Sequence, residues 1–302
     1  MQISDTAVGK DRTPAPQRLS HRRLRYTLHV ILRDPLALFS VLIIALLVFL
    51  ALFGPWIAPY PEQGKGRTDV PNRFLPPSRE HWLGTDQLGR DVLSRIIIGC
   101  RIALQAPTVV VILAVVIGAP LGALAGYFGG WVDNLIMRLT DLFLAFPSLL
   151  LAVTIVAAVG PSLTNAMIAI AISWWPWYTR LVRGVTLSLR ERYFVEAARS
   201  IGVSSGAIIL RHILPNCVTP ILVQATIDFG TVILAEGSLA FLGLGTQPPA
   251  PDWGLMVSQG RSYILDQWWI STLPGLAIFV SVLAFNLLGD TLRDVLDPRQ
   301  YR

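Results

Sequence analysis

Two carboxylates stand where a charge is expensive. Asp228 and Glu236 interrupt an otherwise uncharged run from Pro220 to Leu242. A charge at the centre of a membrane helix costs about 2.5–3.5 kcal/mol on insertion scales. Gln224 and Asp228 share a helical face at i,i+4, while Glu236 is turned about 80° away, because eight steps of ~100° overshoot two turns by that much. Both acids have two readings: lining a polar path, or hydrogen bonding between helices. A second charged group lies in the string His81-Trp82-Leu83-Gly84-Thr85-Asp86-Gln87-Leu88-Gly89-Arg90-Asp91-Val92-Leu93-Ser94-Arg95. Paired carboxylates could exchange protons, but arginines stand beside both. If Asp86 to Arg95 is helical, Asp86 with Arg90 and Asp91 with Arg95 form i,i+4 ion pairs that clamp the chain before a hydrophobic segment.

Other chemistry lacks its parts. Lys10 and Lys65 are the two lysines, and Gly64-Lys65-Gly66 has neither the hydroxyl residue nor the spacing of a phosphate-binding loop. His21, His29, His81 and His212 form no i,i+4 pair, and Cys100 and Cys217 form no Cys-x-x-Cys, so no metal site is expected. No serine is flanked by a recognisable histidine and carboxylate. The reading is a non-enzyme without its own cofactor.

The elements that hold these residues are hydrophobic. Apolar residues are 53% of the 302-residue chain and charged residues 15%, against roughly 25% charged in soluble domains. Uncharged runs predict spans at Leu36–Phe53, Ile102–Val132, Pro220–Leu242 and Ser271–Leu288. A further run, Leu142–Thr179, would extend about 57 Å as one helix, nearly twice a hydrocarbon core of ~30 Å. It must fold back, and Gly160-Pro161 is the natural turn, giving six spans. The expected fold is an all-α, polytopic membrane protein.

Lysine and arginine orient the spans. The N-terminal tail, the loop after span two, the loop after span four and the C-terminus hold 17 of the 25 basic residues. The other side holds 8, seven of them in the long loop before span two. Both termini are therefore expected in the cytoplasm, with that basic loop a local tension. The net charge of +6 fits basic loops facing an anionic leaflet of the lipid bilayer, and not nucleic acid. No cleavable signal peptide is evident, and the first twenty residues read as a disordered tail. Gly118, Gly122, Gly126 and Gly130 recur every four residues and predict a close helix-packing seam. Trp174, Trp175, Trp177 and Tyr178 read as an interfacial aromatic belt.

One polar segment is too long and too patterned for a plain connection. It reads Glu196-Ala197-Ala198-Arg199-Ser200-Ile201-Gly202, nine further residues, then His212-Ile213-Leu214-Pro215. Phe194, Ala197, Ala198 and Ile201 fall on one helical stripe, with Arg192, Glu196 and Arg199 opposite. Gly202 is placed to end the helix in the left-handed conformation. Ser204 or Ser205 can cap a second short helix, which Pro215 is expected to stop. The segment reads as a two-helix elbow built to dock.

This pattern resembles the coupling loop of the membrane subunits of ATP-binding-cassette importers. Gly84-Thr85-Asp86, Gly89-Arg90-Asp91, Gly126-Tyr127-Phe128-Gly129-Gly130, Ala145-Phe146-Pro147, Leu239 to Gly245 and the turn from Gln247 to Gly254 resemble, more narrowly, the second permease subunit of peptide and nickel importers. The likeness runs from Arg22 to Tyr301, with Ala240 and Gly237 as small departures. It implies the type I importer fold and a bacterial-type cytoplasmic membrane. It implies a cytoplasmic tail at 1–35, a first helix with an external loop at 36–100, a permease domain at 101–290 with the coupling loop at 180–215, and a second tail at 291–302. The implied partners are a homologous permease subunit, two ATPase subunits carrying ATP and Mg, and an external solute-binding protein. Glu196, Ala197, Ala198, Gly202, His212, Leu214 and Pro215 would couple to an ATPase, with Ala197 and Ala198 keeping the docking face flat. Gln224, Asp228 and Glu236 would be candidates for the path. The implied solute is a dipeptide or oligopeptide, with nickel chelates and glutathione open. The rival reading is an ion-driven carrier using Asp228 and Glu236 as a proton relay, for which inverted repeats and broken helices are not evident.

Overall fold

A computed structural model describes residues 34–296; the tail readings over 1–33 and 297–302 lie outside the described residues, while residues 291–296, expected in the second tail, continue the last helix. Among the described residues the chain is helical without a β-strand, apart from one isolated bridge between Thr85 and Asp91. The main helices are α1 (Pro35–Ile57), α2 (Val92–Phe128), α3 (Gly130–Leu144), α4 (Ser148–Val159), α5 (Leu163–Arg190), α6 (Tyr193–Ser200), α7 (Ser205–Phe241), α8 (Trp253–Gly260) and α9 (Trp269–Leu296). Side chains cap four of these starts. Asp34 accepts from Leu36 N, Asp91 from Ser94 N, Ser162 from Asn165 N and Asp252 from Leu255 N. Each supplies an acceptor for a first-turn amide that has no partner in its own helix.

Four helices, α1, α2, α7 and α9, are long and apolar enough to cross a membrane, or five if α3 and α4 count as one broken span. The six straight spans expected from the sequence are thus not all reproduced. The turn at Gly160-Pro161 is present, between the end of α4 and the start of α5. The span before it, however, is bent by 82° at residues 145–147. The cause is local: Pro147 has no amide hydrogen to continue α3 and its ring disfavours helix at Phe146. Helix α4 alone has 12 residues, or about 18 Å, short of a ~30 Å core. The second span also differs from its expected limits. It starts ten residues earlier, at Val92, and ends at Phe128, where Gly129 and Gly130 take positive φ of 65° and 54°.

The glycine seam is real for three of its four members. A Cβ on Gly118, Gly122 or Gly126 would collide with α5, against Trp175 O, Thr179 O and Thr186 Cβ respectively. Thr179 Oγ1 also donates to Gly118 O at 3.2 Å. Gly130 leaves the series, since nothing lies within 4 Å of its Cβ direction. Of the four residues read as an aromatic belt, only Trp177 is exposed. Trp174, Trp175 and Tyr178 are buried in the core formed by α2, α4, α5 and α7. They face inward because α5 packs on α2 along the side opposite Trp177.

Adding a side chain to the seam must push α2 from α5. Gly122→Val is expected to destabilise the protomer by about 1–3 kcal/mol through overpacking. Gly184→Ala, which meets nothing within 4 Å, should stay within about 0.5 kcal/mol. Thermal unfolding of the two purified variants measures the difference.

Candidate functional sites: the loop knot, the elbow and the buried acids

The string from His81 to Asp91 forms a compact knot rather than a helix, and Val92 to Arg95 open α2. Asp86 lies in a turn whose Oδ1 accepts from Leu88 N at 2.8 Å and Arg90 N at 3.0 Å. Its Oδ2 pairs with Arg90 Nε at 2.6 Å and lies 3.8 Å from Arg95 Nε. The expected Asp86–Arg90 pair therefore forms, but in a loop, because α2 begins only at Val92. The expected Asp91–Arg95 pair does not form. Asp91 instead caps α2 and bonds His81 Nδ1 at 2.9 Å. Arg95 turns to the backbone oxygens of Pro249 and Ala250 at 3.4 and 3.3 Å, and Arg90 reaches Gln259 Oε1 of α8 at 3.3 Å. Thr85 closes the far side, donating to Asn72 O at 2.6 Å while its own carbonyl accepts from Trp269 Nε1 at 3.1 Å. Gly84 and Gly89 have φ of 73° and 75°, and a Cβ on either would collide with the backbone of residues 69–75. Each residue of the Gly84-Thr85-Asp86 and Gly89-Arg90-Asp91 pattern thus joins the start of α2 to α8, α9 or the preceding loop.

The elbow begins as expected. Helix α6 ends in a double hydrogen-bonded turn, Gly202 N to Arg199 O at 3.0 Å and Val203 N to Ala198 O at 3.1 Å, with Gly202 at φ 80°. That is the paired bonding of a Schellman C-cap. The faces need correction. Val195 and Ala198 point inward, onto a cluster with Tyr127, Val182, Ile208 and Ile213. Phe194, Ala197 and Ile201 point outward, with Ile201 80% and Tyr193 85% exposed. So Ala198 belongs to the anchor and not to the docking face. The stripe was ambiguous because α6 carries apolar groups on both sides. Glu196 is exposed beside Ala197. Arg199 packs its guanidinium 5.5 Å from the Tyr127 ring centroid, a cation–π contact that adds to the anchor.

Pro215 does not stop the second helix. Residues Ile209–Ile213 form a π turn that runs directly into Leu214–Phe241, with Pro215 in its first turn. Leu214 N bonds Ile209 O, the wider i→i−5 pattern of a π turn, which lets the helix pass the missing proline donor. His212 is half-buried with its ring 6.4 Å from that of Phe194, and Leu214 packs under the elbow.

The two acids of α7 are buried within the protomer, Asp228 6% and Glu236 4% exposed. Gln224 Nε2 donates to Asp228 Oδ1 at 3.1 Å, as the i,i+4 spacing implies. Tyr178 and Trp174 of α5 face Asp228 from the neighbouring helix. Glu236 meets Thr246 and Asp252, whose carboxylate oxygen and that of Glu236 each lie 3.4 Å from Thr246 Oγ1. Burial pushes the Asp252 carboxyl above its usual range, against the bond from Leu255 N that favours its charged form. Sequence reasoning misses Thr246 and Gln259, places Tyr178 only in an aromatic belt, and includes Asp252 only within the turn from Gln247 to Gly254. The i,i+4 spacing of Trp174 and Tyr178 puts those two on one face of α5.

Comparison with known proteins follows this geometry. Residues 118–302 match the family described as binding-protein-dependent transport system inner membrane component. Residues 23–77 match the N-terminal TM domain of oligopeptide transport permease C. A probable D,D-dipeptide transport system permease protein of Escherichia coli is 46% identical, with 88% of each chain covered. A dipeptide transport system permease protein of Alkalihalophilus pseudofirmus is 48% identical, over 88% of this chain and 87% of that one. A glutathione transport system permease protein of Shigella boydii is 46% identical over 88% of each. The inward-facing MetNI methionine ABC transporter aligns with a TM-score of 0.54 at 20% identity, covering 67% of this chain and 97% of that one, which supports the fold. The relatives give no support to an ion-driven carrier.

The knot yields a direct test. Asp86→Ala leaves two buried arginines without their acid and is expected to cost about 3–5 kcal/mol. Asp141→Ala, which removes an exposed pair with Arg180, should cost about 0–1 kcal/mol. Thermal unfolding of the two variants side by side reads the contrast, and equal losses would contradict the buried network.

Taken together, the matched length and the identities mean that this chain belongs to the binding-protein-dependent permease family, as a non-catalytic, type I membrane subunit of an ATP-binding-cassette importer that works with separate ATPase and solute-binding proteins.

Proposed function

We propose that the chain forms half of a translocation pathway for dipeptides or short oligopeptides, paired with a homologous permease subunit and driven by two ATPase subunits that hold ATP and Mg. The peptide class is supported by the dipeptide and glutathione systems named for its relatives. Both termini and the elbow face the cytoplasm in this reading, by the bias of basic residues. The division into tails at 1–35 and 291–302, a first helix and loop at 36–100 and a permease domain at 101–290 belongs to the same proposal.

The observation that carries it is the split character of α6. Val195 and Ala198 hold the helix to the bundle while Tyr193, Phe194, Ala197, Ile201 and the nearby Leu210 project apolar surface away from it. Exposed apolar surface rimmed by charge is suited to a partner's groove. Here Ala197 keeps that surface flat, Glu196 supplies a polar contact, and Gly202 sets the bend. His212, Leu214 and Pro215 shape the exit, through a π turn instead of a helix stop. Closure of the ATPase pair would push the elbow and tilt α5 and α7, the helices on either side of it. Gln224, Asp228 and Glu236 are retained as path candidates that tilting would have to uncover.

Two variants test this. A Cβ at Gly202 meets nothing within 4 Å, so Gly202→Asp should leave the fold intact, but the left-handed φ disfavours the new side chain and shifts the docking face. Dipeptide uptake by the reconstituted complex is expected to fall about tenfold while ATP hydrolysis continues. Normal uptake would contradict the coupling role. Asp228→Asn and Asp228→Ala should both reduce uptake, and wild-type rates in both would remove Asp228 from the path.

A further inference from the structure

We infer that Arg101, Gln105 and Thr108 of α2 line the outer half of the translocation path, and that the Arg101 guanidinium takes the C-terminal carboxylate of the passing peptide. The inference deepens the proposed function and rests on its peptide reading. With the second span expected from Ile102, the sequence counts Arg101 in the external loop. The structure puts it well inside α2, which starts at Val92. Its depth follows from α1. A Cβ on Gly54 would lie 3.2 Å from Ile97 Cγ2, so Ile97 stands level with Gly54. Gly54 is about 30 Å along α1 from the Asp34 cap, one hydrocarbon thickness. Arg101 is then about 6 Å below the outer boundary, Gln105 about 12 Å and Thr108 about 16 Å, close to mid-bilayer.

The three residues recur at i, i+4 and i+7, so they share one face of α2, and all three are exposed on the protomer. Lipid is a poor neighbour for that face. Where this chain meets lipid it presents hydrocarbon: α1 exposes Leu42, Leu46, Phe49 and Leu52, and from Pro35 to Ile57 it holds no charged or amide side chain. Ionisable groups at membrane depth are expensive, and they face a bundle interior or a water-filled cavity. A close helix seam is the wrong place as well. The seam of this same helix, Gly118, Gly122 and Gly126 against α5, is built from residues without side chains, whereas Arg101 and Gln105 are long and flexible. Water between two permease subunits suits them. Deeper on the same face the exposed residues are Ile112 and Val116, so the polar stretch is confined to the outer half.

The Arg101 charge then needs an anion. Among the described residues no ion pair includes Arg101. The acids in the outer halves of the spans are Asp228 and Glu236, and both are buried within the protomer. Every peptide, whatever its side chains, ends in a carboxylate and carries amide groups. A guanidinium matches the carboxylate with two parallel hydrogen bonds, and Gln105 offers a donor and an acceptor to the peptide amide. Thr108 Oγ1 donates to Leu104 O at 2.7 Å, which leaves its lone pairs to accept a peptide N–H. One guanidinium in a wet cavity holds an anion weakly, so the peptide can leave again.

The test uses both permeases, both ATPases and the external binding protein in proteoliposomes. Cys100 and Cys217 are buried and free; Cys100→Ala and Cys217→Ala clear the background. The probes are a radiolabelled dipeptide and charged methanethiosulfonates that do not cross lipid. Arg101→Gln is expected to lower dipeptide uptake about tenfold, with Arg101→Lys retaining most of it; wild-type uptake by Arg101→Gln would overturn the inference. An Arg101→Cys variant should lose uptake likewise, regain it after modification by a cationic reagent, and stay inactive after an anionic one. A purely structural role would not follow the sign of the charge, so equal outcomes would overturn the carboxylate contact. If Arg101→Cys does not assemble, the same reagents on Gln105→Cys decide: the anionic one should block uptake by occupying Arg101, the cationic one should not, and equal effects again overturn the contact. In the vanadate-trapped complex, peptide-loaded binding protein should slow modification of Arg101→Cys several-fold relative to peptide-free binding protein. Equal rates would give the guanidinium to the partner subunit or a lipid phosphate instead. Position is read at Gln105→Cys, which should react about tenfold faster than Leu46→Cys on the lipid face of α1, because the reactive thiolate forms poorly in apolar surroundings; equal rates would put the stripe in lipid or a dry seam. Failure of the peptide reading is distinguishable: the wild-type complex would then take up no dipeptide, and the carboxylate contact would fall, while Gln105→Cys would still outpace Leu46→Cys.

Discussion

Inside hydrocarbon a backbone amide has no water to bond, and each unsatisfied group costs several kcal/mol. Much of this structure follows from that constraint. Prolines that would break a helix in water are instead carried through: Pro107 and Pro120 sit within α2, Pro176 within α5 and Pro274 within α9. At Pro215 the chain widens into a π turn and continues. Where the path does break, at Pro147, Leu151 N immediately recovers Pro147 O at 3.0 Å and α4 begins. The same logic governs side chains. Thr154, Thr226 and Ser238 each return their hydroxyl to a carbonyl four residues back.

How much of this could be seen in the residues alone depends on which physical quantity the sequence carries. Charge-free runs report burial in lipid or protein, so the long segments and the reversal at Gly160 were legible. They do not report axis direction, so the 82° bend between α3 and α4 was not. Spacing reports shared faces, so the Gln224–Asp228 bond and the Gly118, Gly122, Gly126 seam could be foreseen. Gly130 kept the four-residue rhythm but fell beyond the end of α2, because two successive glycines with positive φ had already turned the chain.

Faces are harder than periods. On α6 the apolar residues Phe194 and Val195 are neighbours, about 100° apart around the helix. Which of them meets the bundle depends on Tyr127, Ile208 and Ile213, which come from segments distant in sequence or beyond the bend at Gly202. The Asp86 network failed in a similar way. The i,i+4 spacing of Asp86 and Arg90 suits a helix, yet it also suits a turn in which Asp86 accepts two amides and one guanidinium. Gly89 at φ 75° decides in favour of the turn, and that choice sends Arg95 across to the 249–250 backbone instead of back to Asp91.

The knot and the elbow lie at opposite ends of α2, a 37-residue helix of about 55 Å. At its start, two buried arginines, a capping aspartate and His81 bind it to α8, α9 and the 58–91 loop. Near its end, Tyr127 receives Arg199, and the Gly126 carbonyl accepts from Arg190 Nη1 at 3.1 Å. The two ends differ in kind. The first is a buried network of many bonds, which must move as a unit or pay for exposed charge. The second is a buried apolar cluster that takes in Val195 and Ala198 of α6 with Ala119, Ala123 and Tyr127 of α2, joined by one cation–π contact. Both ends of α2 are held by close packing, polar at the start and apolar at the end, so a push at the elbow meets two rigid attachments. The close α2–α5 seam couples the two helices directly, because glycines leave no compliant side chains between the two backbones.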